Sequence, residues 1–170
     1  MKFVKVVMFV SALVAASLAL TGFASAQIVA LGASNVAGYG VSSTEAWPAQ
    51  LESMLRAKGS SAHVANAGIS GNTTGQVLAR LSSAVPEGTK VVILVIGSFN
   101  DVRTGGTTDI ASTNLNTIKK QLRDRGIRVI DAYGIMRSIM RQPGMLQPDR
   151  IHLTAEGHRR LAAQLVRSVS

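Results

Sequence analysis

Apolar residues follow two rhythms that take turns along this chain. Short runs, about Gln27–Leu31, Ala62–Asn66, Val91–Ile96 and Ile127–Asp131, read as strands. The third, Val91-Val92-Ile93-Leu94-Val95-Ile96, has no polar face, as expected of a strand covered on both sides within a parallel sheet. Between the runs, apolar residues recur at helical spacing. Trp47, Leu51, Met54 and Leu55 form one face, with Thr44 as the expected cap, Pro48 in the first turns and Gly59 at the end. Val77, Leu78, Leu81 and Val85 form a second face. Ala111, Leu115, Ile118 and Leu122 form a third, in a helix opening at Thr108 or Asp109 and closing at Gly126. Beyond the fourth strand the pattern predicts a Met-rich helix around Ile135–Met140, a proline-bearing loop over Gln142–Ile151 and a final helix over Thr154–Val169.

Alternation of strand and helix implies an α/β fold with a parallel sheet and right-handed crossovers. The first three strands each run into a polar, glycine-containing loop, around Gly32, Gly71 and Gly97. Ligands of such sheets bind outside the carboxyl ends of the strands, so these loops are expected to converge.

The first 26 residues stand apart. Lys2 and Lys5 precede an apolar run from Val6 to Leu20, and Ala24-Ser25-Ala26 has the small-x-small form of a signal peptidase site, which predicts a secretory leader cleaved after Ala26 and export to the periplasm or medium. The run is short for a membrane span. Removing 26 residues from 170 leaves 144, residues 27–170, the size of one domain. With no cysteine, disulfides and a lipid-anchored lipoprotein are excluded. The formal charge is +9, and the excess lies late: from Lys119 onward there are eleven basic and four acidic residues. A basic face of this kind suits anionic substrates or an anionic envelope surface, or is simply a solvated helical surface. No aromatic platforms interleave with the arginines, so a nucleic-acid partner is not expected.

Candidate chemistry begins at Ile28-Val29-Ala30-Leu31-Gly32-Ala33-Ser34-Asn35, where an apolar strand delivers Ser34 to the rim beside a glycine that leaves room for substrate. Alone, such a serine is a turn residue as readily as a nucleophile. A serine nucleophile needs an imidazole base oriented by a carboxylate. His63 falls in the second strand with no acid near it in sequence, and His158 falls in the last helix beside Arg159 and Arg160, where a solvated surface explains it. His152 follows Asp149 by three residues in a loop before a helix, a spacing that lets the carboxylate meet Nδ1 while Nε2 faces Ser34. Gly71 offers an unobstructed backbone amide, and Asn100 a side-chain amide, for a developing oxyanion. Singly these are a turn glycine and a cap; together with the serine and histidine they form one constellation. A phosphate-binding loop at Gly32–Gly40 is a poor fit, because no Gly-Lys-Ser/Thr follows.

Ser34 in Gly32-Ala33-Ser34-Asn35, Gly71 in Ile69-Ser70-Gly71-Asn72-Thr73, Asn100 in Gly97-Ser98-Phe99-Asn100-Asp101 and His152 in Asp149-Arg150-Ile151-His152 resemble, in order, the four blocks of the SGNH (GDSL-type) hydrolases, with the look of their secreted thioesterase, lysophospholipase and arylesterase members. The resemblance implies a three-layer, flavodoxin-like α/β/α sandwich with a short sheet of four to five parallel strands, hydrolysing esters or thioesters without metal or cofactor. It implies a Ser34–His152–Asp149 triad, with the Ser34 amide joining Gly71 and Asn100 in the oxyanion hole. The substrate would be a small-molecule or lipid acyl ester; a carbohydrate acetyl esterase and an inactive envelope-binding protein of the same fold are the alternatives. Two departures stand out: Ala33 replaces the family's aspartate beside the nucleophile, and the stretch between Asn100 and Asp149 lacks a strand-and-helix unit of larger relatives, which predicts a more open groove.

Overall fold

A computed structural model describes residues 28–169. The leader predicted over residues 1–26 lies outside the described residues. Four strands, β1 (Ile28–Gly32), β2 (Val64–Gly68), β3 (Val91–Val95) and β4 (Arg128–Asp131), form one parallel sheet in the order β2-β1-β3-β4. β1 is central, in register with Val64–Gly68 on one side and Val91–Val95 on the other. All five of its residues are buried, which accounts for a run with no polar alternation.

Helices α2 (Trp47–Ala57), α7 (Tyr133–Met140) and α8 (Ala155–Val169) cover one face. Trp47, Leu51, Leu55, Ile139, Leu161 and Leu165 pack there against Ile28, Ala30, Ile93 and Val95. On the other face α3 (Thr74–Ala79), α4 (Leu81–Ala84) and α6 (Thr108–Asp124) bring Val77, Leu81, Ile118 and Leu122 onto Val29, Leu31, Val92 and Leu94. Successive residues of β1 and β3 thus feed opposite cores, as the pleat requires. The three-layer α/β/α arrangement is the one expected, with four strands among the described residues.

Strand order reverses at β1: the chain moves outward to β2, then returns across β1 to β3 and continues to β4. The carboxyl ends of β1 and β3 therefore flank a crevice from which the following segments depart in opposite directions. Two one-turn helices stand at that rim, α1 (Ser34–Ala37) after β1 and α5 (Phe99–Arg103) after β3.

Local predictions needed correction where a partner distant in sequence intervenes. Thr44 is not a cap: its hydroxyl meets Ser42, whose own amide and hydroxyl donate to Glu45, and α2 starts three residues later with no side-chain cap of its own. The amide of Trp47 at that start donates instead to Nδ1 of His158, 3.2 Å away on α8. The expected helix carrying Val77 to Val85 is broken at Arg80 into α3 and α4, with Val77, Leu81 and Val85 still inward and Leu78 only half-buried.

Candidate active site

Ser34 occupies the first position of α1, where β1 ends at Gly32. The turn lies flush on the strand ends. A Cβ at Gly32 would stand 2.2 Å from the Val95 carbonyl oxygen, and one at Gly68 2.2 Å from the Ala37 amide nitrogen. Backbone meets backbone there, an approach open only to glycine. Ala33 between them is buried in the α3/α6 core. Arg80 anchors the same rim from beneath, its guanidinium donating to the carbonyls of Gly32 (3.0 Å) and Ala67 (2.9 Å) and to Asn72 Oδ1 (2.8 Å).

His152 approaches Ser34 on a small loop that closes on itself. Leu146 and Leu153 form an antiparallel bridge, the Gln147 amide donates to the His152 carbonyl (2.8 Å), and the Arg150 amide donates to the Gln147 carbonyl (2.9 Å). Arg150 takes φ +58°, the one non-glycine residue in the left-handed region among the described residues. The loop presents Asp149 Oδ2 to His152 Nδ1 at 2.6 Å, while Asp149 Oδ1 accepts the amides of Ile151 and His152. Chiefly the hydrogen bond from the His152 ring, and then the two amides, pull the Asp149 carboxyl down from 3.8 to about 2. An ionised carboxylate only accepts, so Nδ1 carries the proton and Nε2 is left as acceptor for the Ser34 hydroxyl, 2.9 Å away. The Tyr39 ring lies over the imidazole at a centroid distance of 4.4 Å.

The donor side is built from the ends of β2 and β3. Gly71, at φ +83°, turns the β2 loop over the rim. Asn100 sits in α5 and spends one N–H of its amide on the Asn72 carbonyl (2.9 Å), which leaves the second N–H to face the cleft. Beneath these two, the buried Asp101 carboxylate accepts the Thr74 amide (3.1 and 3.2 Å) and hydroxyl (2.6 Å), and the Thr74 oxygen accepts from Asn114. Ser34, Gly71, Asn100 and His152 all line one cleft of about 700 Å³, and Asp149 stands behind the imidazole. Its inner wall is apolar, with Ile96, Met136, Met140 and Leu146.

Three residues that sequence reasoning passed over hold this arrangement together. Asn35 accepts the Leu153 amide (2.9 Å) and donates to the Ile151 carbonyl (3.1 Å), tying the nucleophile turn to the histidine loop across more than a hundred residues. Arg80 and Asp101 do the equivalent on the donor side. Nothing local in the sequence marks these pairings. The other two histidines are also placed differently from expectation. His158 is fully buried rather than on a solvated surface, and burial pushes its imidazole down to about 4. His63 lies just before β2, and its Nδ1 is 2.6 Å from Glu52 of α2, an acid eleven residues away. Neither reaches the cleft.

The chemistry available is nucleophilic: a serine hydroxyl bonded to an imidazole, an oriented carboxylate, and backbone and side-chain donors on the opposite lip. The sequence profile of the GDSL-like lipase/acylhydrolase family matches residues 30–140, most of the described chain; it ends before the histidine loop. An arylesterase from Vibrio mimicus is 33% identical over 107 residues, which are 63% of this chain and 54% of the relative, so the match spans about half of that protein. Among solved structures, TesA superposes with a TM-score of 0.71 at 23% identity, covering 84% of this chain and 97% of its own. The SGNH-hydrolase family esterase AlinE4 superposes with a TM-score of 0.60 at 28% identity, covering 84% and 93%.

Proposed function

Since the chain belongs to the GDSL-like lipase/acylhydrolase family, we propose that it is a carboxylic ester hydrolase working through Ser34, His152 and Asp149. The observation that carries this reading is the 2.9 Å contact between Ser34 Oγ and His152 Nε2, made by residues 118 apart in the chain. In the proposed mechanism His152 Nε2 takes the hydroxyl proton as Ser34 Oγ bonds to the acyl carbon. The Ser34 and Gly71 amides and the free N–H of Asn100 receive the developing oxyanion. Collapse of that adduct breaks the bond to the alcohol, which departs with the proton returned by His152, and the acyl group stays on Ser34. Water, deprotonated by His152, then releases the acid and restores the serine. Asp149 holds the ring in the tautomer this requires and stabilises it as imidazolium. The leader-like composition of residues 1–26 supports export to the periplasm or medium as the setting.

A fluorophosphonate probe and short aryl esters test the assignment. Wild-type protein should be labelled and turn over ester, Ser34→Ala should do neither, and His152→Ala should lose about a thousandfold or more in kcat. Equal labelling of wild type and Ser34→Ala, or none in either, would overturn it and favour a binding protein on the same fold.

A further inference from the structure

The arginines divide into two groups. Arg56, Arg80, Arg125, Arg128, Arg159 and Arg160 each donate to a carboxylate or carbonyl. Among the described residues the other six guanidiniums have no such partner, and four of those six, Arg103, Arg137, Arg141 and Arg150, line the cleft. No aspartate or glutamate lines it with them. They come from α5, from α7 and from the histidine loop, so they surround an apolar cleft rather than forming a stripe on one surface helix.

Three of these positions carry a local cost that solvation alone does not require. Arg137, in the last turn of α7, and Arg141, at its C-cap, are four apart, a spacing at which like charges repel. Arg150 holds φ +58°, a left-handed conformation that L side chains rarely adopt. Costs of this kind gather at functional sites. A cleft with low-dielectric walls and charge of one sign focuses its field on what enters, and guanidinium forks match carboxylate and phosphate oxygens.

We propose that the cleft selects esters bearing a negative charge, a carboxylate or phosphate placed away from the scissile carbonyl. The arginine rim receives that charge while the apolar wall at Met136, Met140 and Leu146 takes hydrocarbon. The inference rests on the ester-hydrolase reading of the cleft, and it extends that reading to substrate class.

Matched esters separate the two claims. The mono-4-nitrophenyl ester of suberic acid is compared with 4-nitrophenyl octanoate, and 4-acetoxybenzoate with its methyl ester, in wild type and Arg137→Gln/Arg141→Gln. The expected result is that the anionic-to-neutral ratio of kcat/KM falls about tenfold in the double variant, and that in wild type it falls as salt shortens the Debye length from about 30 Å to about 8 Å. A ratio that neither substitution nor salt moves overturns the inference while leaving ester hydrolysis standing. A binding arm needs no turnover: octyl phosphate should raise the melting temperature of Ser34→Ala protein more than octyl glucoside does, and the difference should vanish when Arg137 and Arg141 are replaced. Sedimentation with phosphatidylglycerol vesicles, without any charge preference among soluble esters, would assign the arginines to a membrane surface and equally overturn it.

Discussion

The two lips of the cleft are anchored in opposite ways. The base side, Gln147 to Leu153, is a loop braced by bonds within itself, half-exposed and strained at Arg150. It meets the rest of the site through the two hydrogen bonds of Asn35, the Gln147 side-chain donation to the Tyr39 carbonyl, the Tyr39 ring over His152 and the contact with Ser34. The donor side is a lattice, buried at Asp101 and Thr74 and part-buried at Asn114, Asn72 and Arg80, that joins the ends of β1 and β2 to α3, α5 and α6. Buried polar networks are costly to break, and exposed short loops are not. The donor side is therefore bound up with the stability of the fold, whereas the base side is bound up with alignment.

The sharpest attempt to break this contrast is Asp101→Ala. It strands the Thr74 amide in the interior and should cost about 3 kcal/mol, read as a lower denaturant midpoint at unchanged slope. A midpoint equal to wild type would mean that both lips are held loosely.

Acid should come next, and it acts elsewhere. Burial disfavours the charged form of the His158 imidazole and pushes it from the ordinary 6.5 down to about 4. The unfolded chain therefore binds the extra proton first, and stability falls as pH drops from 6.5 toward 4, by about 3 kcal/mol in the limit. Asp149 is lowered to about 2 and stays ionised through that window, so the loss is assigned to the α2–α8 core and not to the base side. His158→Gln should flatten the dependence of melting temperature on pH between 6.5 and 4; an unchanged slope would exclude His158 as its source.

Asn35→Leu tests the other lip. Both bonds to the histidine loop disappear, and kcat should fall about tenfold, about 1.4 kcal/mol of barrier, with a proportionate slowing of fluorophosphonate labelling and little change in KM. A lower melting temperature at full kcat would make Asn35 a structural residue only. Smallest of all, Arg150→Gly exchanges relief of left-handed strain for glycine's greater unfolded-state freedom. Stability should change by less than about 0.5 kcal/mol; a loss of several times that would show that the base side is anchored by the Arg150 side chain.

What the sequence disclosed follows the same division. Asp149 and His152 are three apart in one self-closing loop, and the strand-glycine-serine junction at Gly32–Ser34 is also local, so both are legible from spacing. The inner strands β1 and β3 were legible because burial on both faces removes every polar residue from runs such as Val91–Val95, whereas the edge strands β2 and β4 keep Asn66, Arg128 and Asp131. Asn35, Arg80 and Asp101 act across 13 to 118 residues, on backbone carbonyls and amides that no side-chain pattern announces. His158 was misread for the same reason. Its helix neighbours Arg159 and Arg160 point to water, but its own ring turns inward to serve the start of a helix more than a hundred residues earlier.

The bare backbone contact at Gly32 and Gly68 bears on how this protein can be altered. The nucleophile's position is referenced chiefly to main-chain atoms, Gly32 lying against the Val95 carbonyl and Gly68 against the Ala37 amide. Remodelling the cleft walls on α5 and α7 leaves that datum untouched, so substrate range is open to directed evolution there. Any library that randomises the two glycines instead discards the coordinate frame on which the chemistry is drawn.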